Sequence, residues 1–248
     1  MTEEATKTRN NQQNRPYSQP QLTRTITLKT GIAQNVYARV AHRFAQSLFN
    51  LDVIMRISFS DKEMMDAMSD QIDTEFKASN DLLDTAIEQI KVSARDAGID
   101  PDDEQNLPSY TQVQSYEVRM RTPSYGQFIK ILTKLDYLTS LFEMMWLNGE
   151  VSSQFRLRKS REWQSVILRL ANKIIAREKN ARSAAEKKGD KEVIDLETMT
   201  QTEDINENDN SPVEKATAEI EAQAPASEKP VNAVNTAGSN EQVPVATL

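Results

Sequence analysis

A mainly α-helical fold carrying one small two-stranded antiparallel ribbon is predicted by three features of this sequence. Two short stretches, around Thr25–Lys29 and Tyr116–Arg121, alternate polar and apolar residues as half-buried strands do. Each runs through a basic residue and a threonine into a stretch whose apolar side chains recur every three or four positions, the period of a helix. The same order of alternating strand, basic residue, threonine, Gly or Pro breaker and apolar-striped helix thus occurs twice, so the chain is internally pseudo-repeated.

Residues 1–21 are rich in Thr, Asn, Gln and Arg with almost nothing to bury, and are expected to be a disordered arm. Its Lys7, Arg9 and Arg15, together with Arg24, can touch phosphates, but a solvated tail is the favoured account of them. Leu22–Lys29 is the first strand, with Ile26 and Leu28 on one side and Thr25, Thr27 and Lys29 on the other. Ile32–Asn50 is the first helix, with Val36, Val40, Phe44 and Leu48 inward. Leu51–Phe59 fits either helix or strand. Ser60-Asp61-Lys62-Glu63 has the form of a capping box. The long helix behind it runs to about Arg95 on a stripe of Met64, Met68, Ile72, Phe76, Leu83, Ile87 and Ile90, with Gly98 beyond its end. Its Asp and Glu residues fall mostly off that stripe and read as a solvated face.

In the central stretch Tyr116, Val118 and Met120 alternate with Glu117, Arg119 and Arg121, and Thr122-Pro123 breaks the strand and opens a helix. Phe128, Ile131, Leu132, Leu135, Leu138, Leu141, Phe142 and Met145 form that helix's broad apolar stripe, and Asn148-Gly149 ends it. Laying Ile26 on Val118 sets Lys29 on Arg121, Thr30 on Thr122, Gly31 on Pro123 and Val36 on Phe128. Ser152 or Ser153 caps the last helix, which turns Phe155, Trp163, Val166, Ile167, Leu170 and Ile174 inward. Arg156, Arg158, Lys159 and Arg161 crowd its start, where backbone N–H groups and the helix dipole already attract anions. The expected division is therefore a disordered arm over 1–21, a folded unit over 22–186 and a disordered acidic tail over 187–248.

The net charge of −7 conceals a strong polarity. Gly189–Leu248 holds 13 acidic side chains against 3 lysines, Leu51–Glu104 holds 15 acids against 5 bases, and Gln154–Lys188 holds 11 bases against 3 acids. Such segregation points to nucleic acid or to mutual neutralisation within the fold. There are no cysteines and one histidine, His42, so neither a disulfide framework nor a Cys/His metal site is expected. Asp100-Pro101-Asp102-Asp103-Glu104 lacks the spacing of a calcium loop. No phosphate-binding glycine loop, HExxH or GxSxG occurs, so no enzymatic activity, cofactor or small-molecule substrate is expected. No apolar run approaches a membrane span and no signal region precedes the fold, which leads to the expectation of a cytoplasmic protein without membrane association.

If the two strands pair with their apolar sides on the helices, the ribbon turns Thr25, Thr27, Lys29, Glu117, Arg119 and Arg121 to solvent. A two-stranded ribbon fits the DNA major groove, where Arg and Lys donate to guanine and Thr meets thymine methyls. The block from Tyr116 to Ala176 resembles the AcaB-type family of transcriptional regulators from conjugative plasmids and integrating conjugative elements. Glu117-Val118-Arg119-Met120-Arg121-Thr122-Pro123, Lys134-Leu135-Asp136 and Met145-Trp146-Leu147-Asn148-Gly149-Glu150-Val151 carry the resemblance, and Lys29-Thr30-Gly31 fits the same pattern. The resemblance covers roughly residues 25–178. It implies a ribbon-helix-helix-like DNA-binding domain and activation of conjugative-transfer genes. The contact residues themselves follow from strand alternation only.

Two other readings fit the same residues. In a helix-turn-helix reading the last helix enters DNA, with Arg156, Lys159 and Arg161 on bases and the strands as scaffold. In an adaptor reading the acidic long helix and the methionine-rich apolar surface bind other proteins of the conjugation machinery. Two-fold DNA sites are met by two-fold proteins, so a homodimer on double-stranded promoter or operator DNA is expected. The sequence leaves open whether the ribbon closes within one chain or between two.

Overall fold

The structure is a computed structural model and describes residues 20–58 and 62–199. The expected arm up to residue 19, the Ser60-Asp61 start of the capping box, the Met64 side chain and the tail from 200 onward lie outside the described residues. Among the described residues two strands and five helices follow one another: β1 (Leu22–Leu28), α1 (Gly31–Ser58), α2 (Lys62–Asp96), β2 (Gln114–Met120), α3 (Pro123–Leu147), α4 (Ser153–Lys188) and α5 (Lys191–Met199). The fold is mainly helical with a small two-stranded antiparallel sheet, and its strand–helix–helix order occurs twice.

β1 and β2 pair within the one chain, antiparallel, with Thr25 opposite Glu117 at the centre, Thr23 opposite Arg119 on one side and Thr27 opposite Ser115 on the other. The pseudo-repeat extends through the backbone. Both strands, and the first residues of both following helices, stand 92 positions apart (22 to 114, 28 to 120, 31 to 123). Thr30 and Thr122 each sit at the head of a helix, and each hydroxyl accepts a backbone N–H three residues on, from Ala33 at 3.3 Å and Tyr125 at 3.4 Å. Two orphan N–H groups are thereby satisfied by the same residue type in both halves. Val36 and Phe128, matched by the repeat, are both fully buried.

The core lies where the first helices of the two halves cross. Phe44 of α1 meets Phe128 of α3 with ring centroids 4.3 Å apart, and Phe76 of α2 meets Phe44 edge-on at 6.2 Å. Leu28 and Val118 close the core from the ribbon side, while Ile26, Tyr116 and Met120 are half-buried. Tyr116 packs against Tyr37 of α1 with the ring centroids 4.0 Å apart and the planes tilted by 32°, and burial pushes its phenol above the usual tyrosine range.

Leu51–Ser58 resolves as the continuation of α1, because Leu51 and Ile54, one turn apart, bury on one helical face. Gly189 ends α4 in the left-handed conformation (φ 93°), where glycine meets no Cβ penalty. The stretch behind it, expected to belong to the disordered tail, forms α5 instead. Ile194 is buried there, and Arg182 of α4 reaches Asp195 at 2.9 Å.

Candidate nucleic-acid interface

The outer face of the ribbon consists of Thr23, Thr25 and Thr27 from β1 and Ser115, Glu117 and Arg119 from β2, all exposed. It follows from strand alternation: burying Leu28 and Val118 turns every odd-numbered residue of both strands outward. Thr27 Oγ1 and Ser115 Oγ lie 3.1 Å apart across the strands. Arg119 Nε lies 3.5 Å from the Glu117 carboxylate, an exposed pair of little net stability. Of the residues proposed from sequence, Thr25, Thr27 and Arg119 thus share one surface. Thr23 and Ser115 complete it; strand alternation extended by one step at each end finds them.

Lys29 and Arg121 occupy a different place from the one expected. The strands end at Leu28 and Met120, so both residues lie in the strand–helix turns rather than on the ladder. The cause at Lys29 is Asp136. This buried carboxylate accepts the Lys29 N–H at 3.1 Å, the Thr30 N–H at 2.7 Å and the Thr30 hydroxyl at 2.8 Å. The Lys29 side chain remains exposed beside the start of α1, while Arg121 is half-buried.

The basic start of α4 is not uniform. Asn148 caps α3, Gly149 turns the chain at φ 81°, and Ser152 caps α4. The Trp146 indole N–H donates to Ser153 Oγ at 2.9 Å, and the Arg156 guanidinium lies 4.3 Å over the Trp146 ring and 3.7 Å from Glu143. Arg156 is therefore built into the turn. Lys159 and Arg158 both approach Glu162, at 2.8 and 3.9 Å, and the hydrogen bond from Lys159 holds that carboxyl below its usual range. Arg158 and Arg161 are exposed; with Leu157 and Arg169 they line an open surface depression along α4.

The two basic groups are linked through α3. Asp136 fixes the Lys29–Thr30 turn and Glu143 meets Arg156, two helical turns or about 10 Å further along the same helix. The start of α4 thus lies about two helical turns along α3 from the strand–helix turn that follows Thr27. Gln127, in the first turns of the helix that follows Arg119, donates at 3.4 Å to Asp73 of α2, whose Asp66 and Asp70 are exposed. The basic side of α4 is also partly neutralised within the fold: Glu75 of α2 takes both Arg177 and, at 2.9 Å, Lys173.

His42 is exposed on α1. Asp102 binds Lys91 at 2.6 Å and Arg95 at 2.8 Å, and those hydrogen bonds lower its pKa. No group of three or more His, Cys, Asp or Glu able to hold a metal occurs among the described residues, and none of their helices is long and apolar enough to cross a membrane.

No family model matches the sequence, and no curated protein matches it. Among solved structures, the crystal structure of selenomethionine-containing AcaB from uropathogenic E. coli is similar over 72% of this chain and 89% of its own, at 30% identity and a TM-score of 0.67. The segments that carry the sequence resemblance are also those that build the strand–helix turn at Asp136 and the α3–α4 turn at Trp146. On that identity and coverage, the chain belongs to the AcaB family.

Proposed function

We propose that the protein is a sequence-specific regulator that binds double-stranded DNA at promoters or operators and reads the major groove with the β1–β2 ribbon. The observation that carries this reading is the outer ribbon face: six exposed polar side chains on a ribbon anchored to the core from its other side by the buried Leu28 and Val118. A ribbon of this width enters the major groove, and Arg, Glu and Thr are the residue types that hydrogen-bond or touch base edges there. In this reading Lys29 and the start of α4 hold phosphates and set the register. Activation of conjugative-transfer genes follows from the family resemblance. Because one chain closes its own ribbon, the proposed homodimer sets two complete ribbons on DNA rather than sharing one. The cytoplasm is the compartment this role requires.

Arg158, Lys159 and Arg161 are assigned here to phosphates, and a helix-turn-helix role would instead assign them to bases. Fluorescence-anisotropy titrations of duplex fragments from conjugative elements, at several salt concentrations, separate the two. Arg119→Ala is expected to erase selectivity between fragments while leaving weak, salt-sensitive binding. Selectivity that survives Arg119→Ala and disappears with Arg158→Ala/Arg161→Ala would move base reading to α4. Absence of binding to every fragment at low salt would remove the DNA reading and favour a protein partner.

A further inference from the structure

The pseudo-dyad of the fold passes through the ribbon, and the residues on its two sides differ. Thr25 and Glu117 are matched by the repeat and are also direct partners in the ladder, so the approximate two-fold axis runs between them. That axis exchanges Thr27 with Arg119 and Thr23 with Ser115. One end of the outer face therefore carries Arg119 beside Thr23, and the other carries Thr27 hydrogen-bonded to Ser115. Two identical chains contributing one strand each present the same side chains at both ends and are bound to a two-fold subsite. This chain is released from that constraint, because both strands belong to one sequence and have diverged.

We propose that each copy of the protein reads a non-palindromic subsite of about four base pairs, with guanine required at the Arg119 end and thymine preferred at the Thr27–Ser115 end. The inference rests on the ribbon reading above and deepens it. The length follows from the outward residues: 23 to 27 spans about 13 Å of strand at roughly 3.3 Å per residue, against about 3.4 Å per base pair. The bases follow from the chemistry. A guanidinium donates to both guanine O6 and N7, whereas threonine offers a methyl group to the thymine methyl and a hydroxyl that accepts or donates. Glu117, central and exposed, accepts from a cytosine amino group and disfavours bases that present acceptors there.

The helices reached from the two ends differ as well. The strand–helix turn at the hydroxyl end is held by α3, which also meets the basic start of α4, where Arg158 and Arg161 are exposed. Gln127, in the first turns of the helix that follows the arginine end, donates to Asp73 of α2, where Asp66 and Asp70 are exposed. A palindromic operator then consists of two such subsites, one per protein copy, each asymmetric within itself.

Affinity selection of random duplexes with the full-length protein tests this directly. The wild type is expected to enrich a core with G·C at one end and T·A at the other. Arg119→Ala is expected to level only the G·C end, with a roughly ten- to hundredfold loss of preference there. Thr27→Arg, at an exposed position, is expected to convert the T·A end to G·C and make the core two-fold symmetric. A wild-type core already symmetric, and eroded at both ends by Arg119→Ala, would overturn the asymmetry while leaving ribbon reading in place. An enriched core that neither substitution changes would overturn the inference and the ribbon reading together, and failure to enrich any core would do the same.

Discussion

Asp136 shows how one residue positions a surface it does not belong to. Its carboxylate is buried and satisfies two backbone N–H groups and one hydroxyl at the junction of β1 and α1. Hydrogen bonds to a buried charged group are among the stronger polar contacts, and removing the acceptor leaves its donors unsatisfied. Asp136→Ala is expected to lower unfolding stability by about 2–4 kcal/mol in urea titrations; a change below about 0.5 kcal/mol would show that the turn holds itself. Arg156 is the opposite case, a residue read from sequence as a DNA contact that the structure ties to Trp146 and Glu143. Arg156→Ala is expected to cost about 1 kcal/mol of stability through the lost cation–π contact. The slope of DNA affinity against salt should stay unchanged, in contrast to Arg161→Ala, which should reduce that slope by about 0.9. Equal slope changes for the two variants would place Arg156 on phosphate as well.

Among the elements, what is local in the sequence was legible there. Strand alternation gave the buried Leu28 and Val118 and the outward Thr25, Thr27 and Arg119. The Pro123 and Ser152 signals marked the helix starts, and Gly149 the turn between α3 and α4. The partners of Asp136 were not legible, because its acceptor role spans 106 residues to Thr30 and no local pattern records such a contact. Nor was α5, whose nine residues are too short a stretch to stand out from the acidic sequence around it. Lys29 and Arg121 were placed on the ladder because alternation continues through them; the ladder stops one residue earlier in each strand, where the backbone turns to cap a helix. At the crossing of α1 and α3, Phe128 is fully buried against Phe44. Phe128→Ala is expected to cost about 3–5 kcal/mol, seen as a lowered urea midpoint with an unchanged slope. A cost under 1 kcal/mol would mean that the two halves are not joined through this contact.

For the whole molecule, the segregated charges have two destinations. Part is neutralised inside the fold, as where Glu75 takes Lys173 and Arg177 and where Asp84 takes Lys134 at 2.5 Å. The remainder is left on the surface at the basic start of α4 and along the acidic α2. One chain supplies both strand–helix–helix halves and closes the ribbon itself. With no native cysteine, this closure can be tested by a single engineered crosslink. Thr27 and Ser115 are ladder partners whose hydroxyls lie 3.1 Å apart, so Thr27→Cys/Ser115→Cys brings two thiols within disulfide reach. Oxidation of the full-length variant followed by non-reducing electrophoresis should give a crosslinked species of monomer mass at every protein concentration. A disulfide-linked species of twice that mass, formed even in dilute solution, would mean that the ribbon is shared between two chains and would contradict the account.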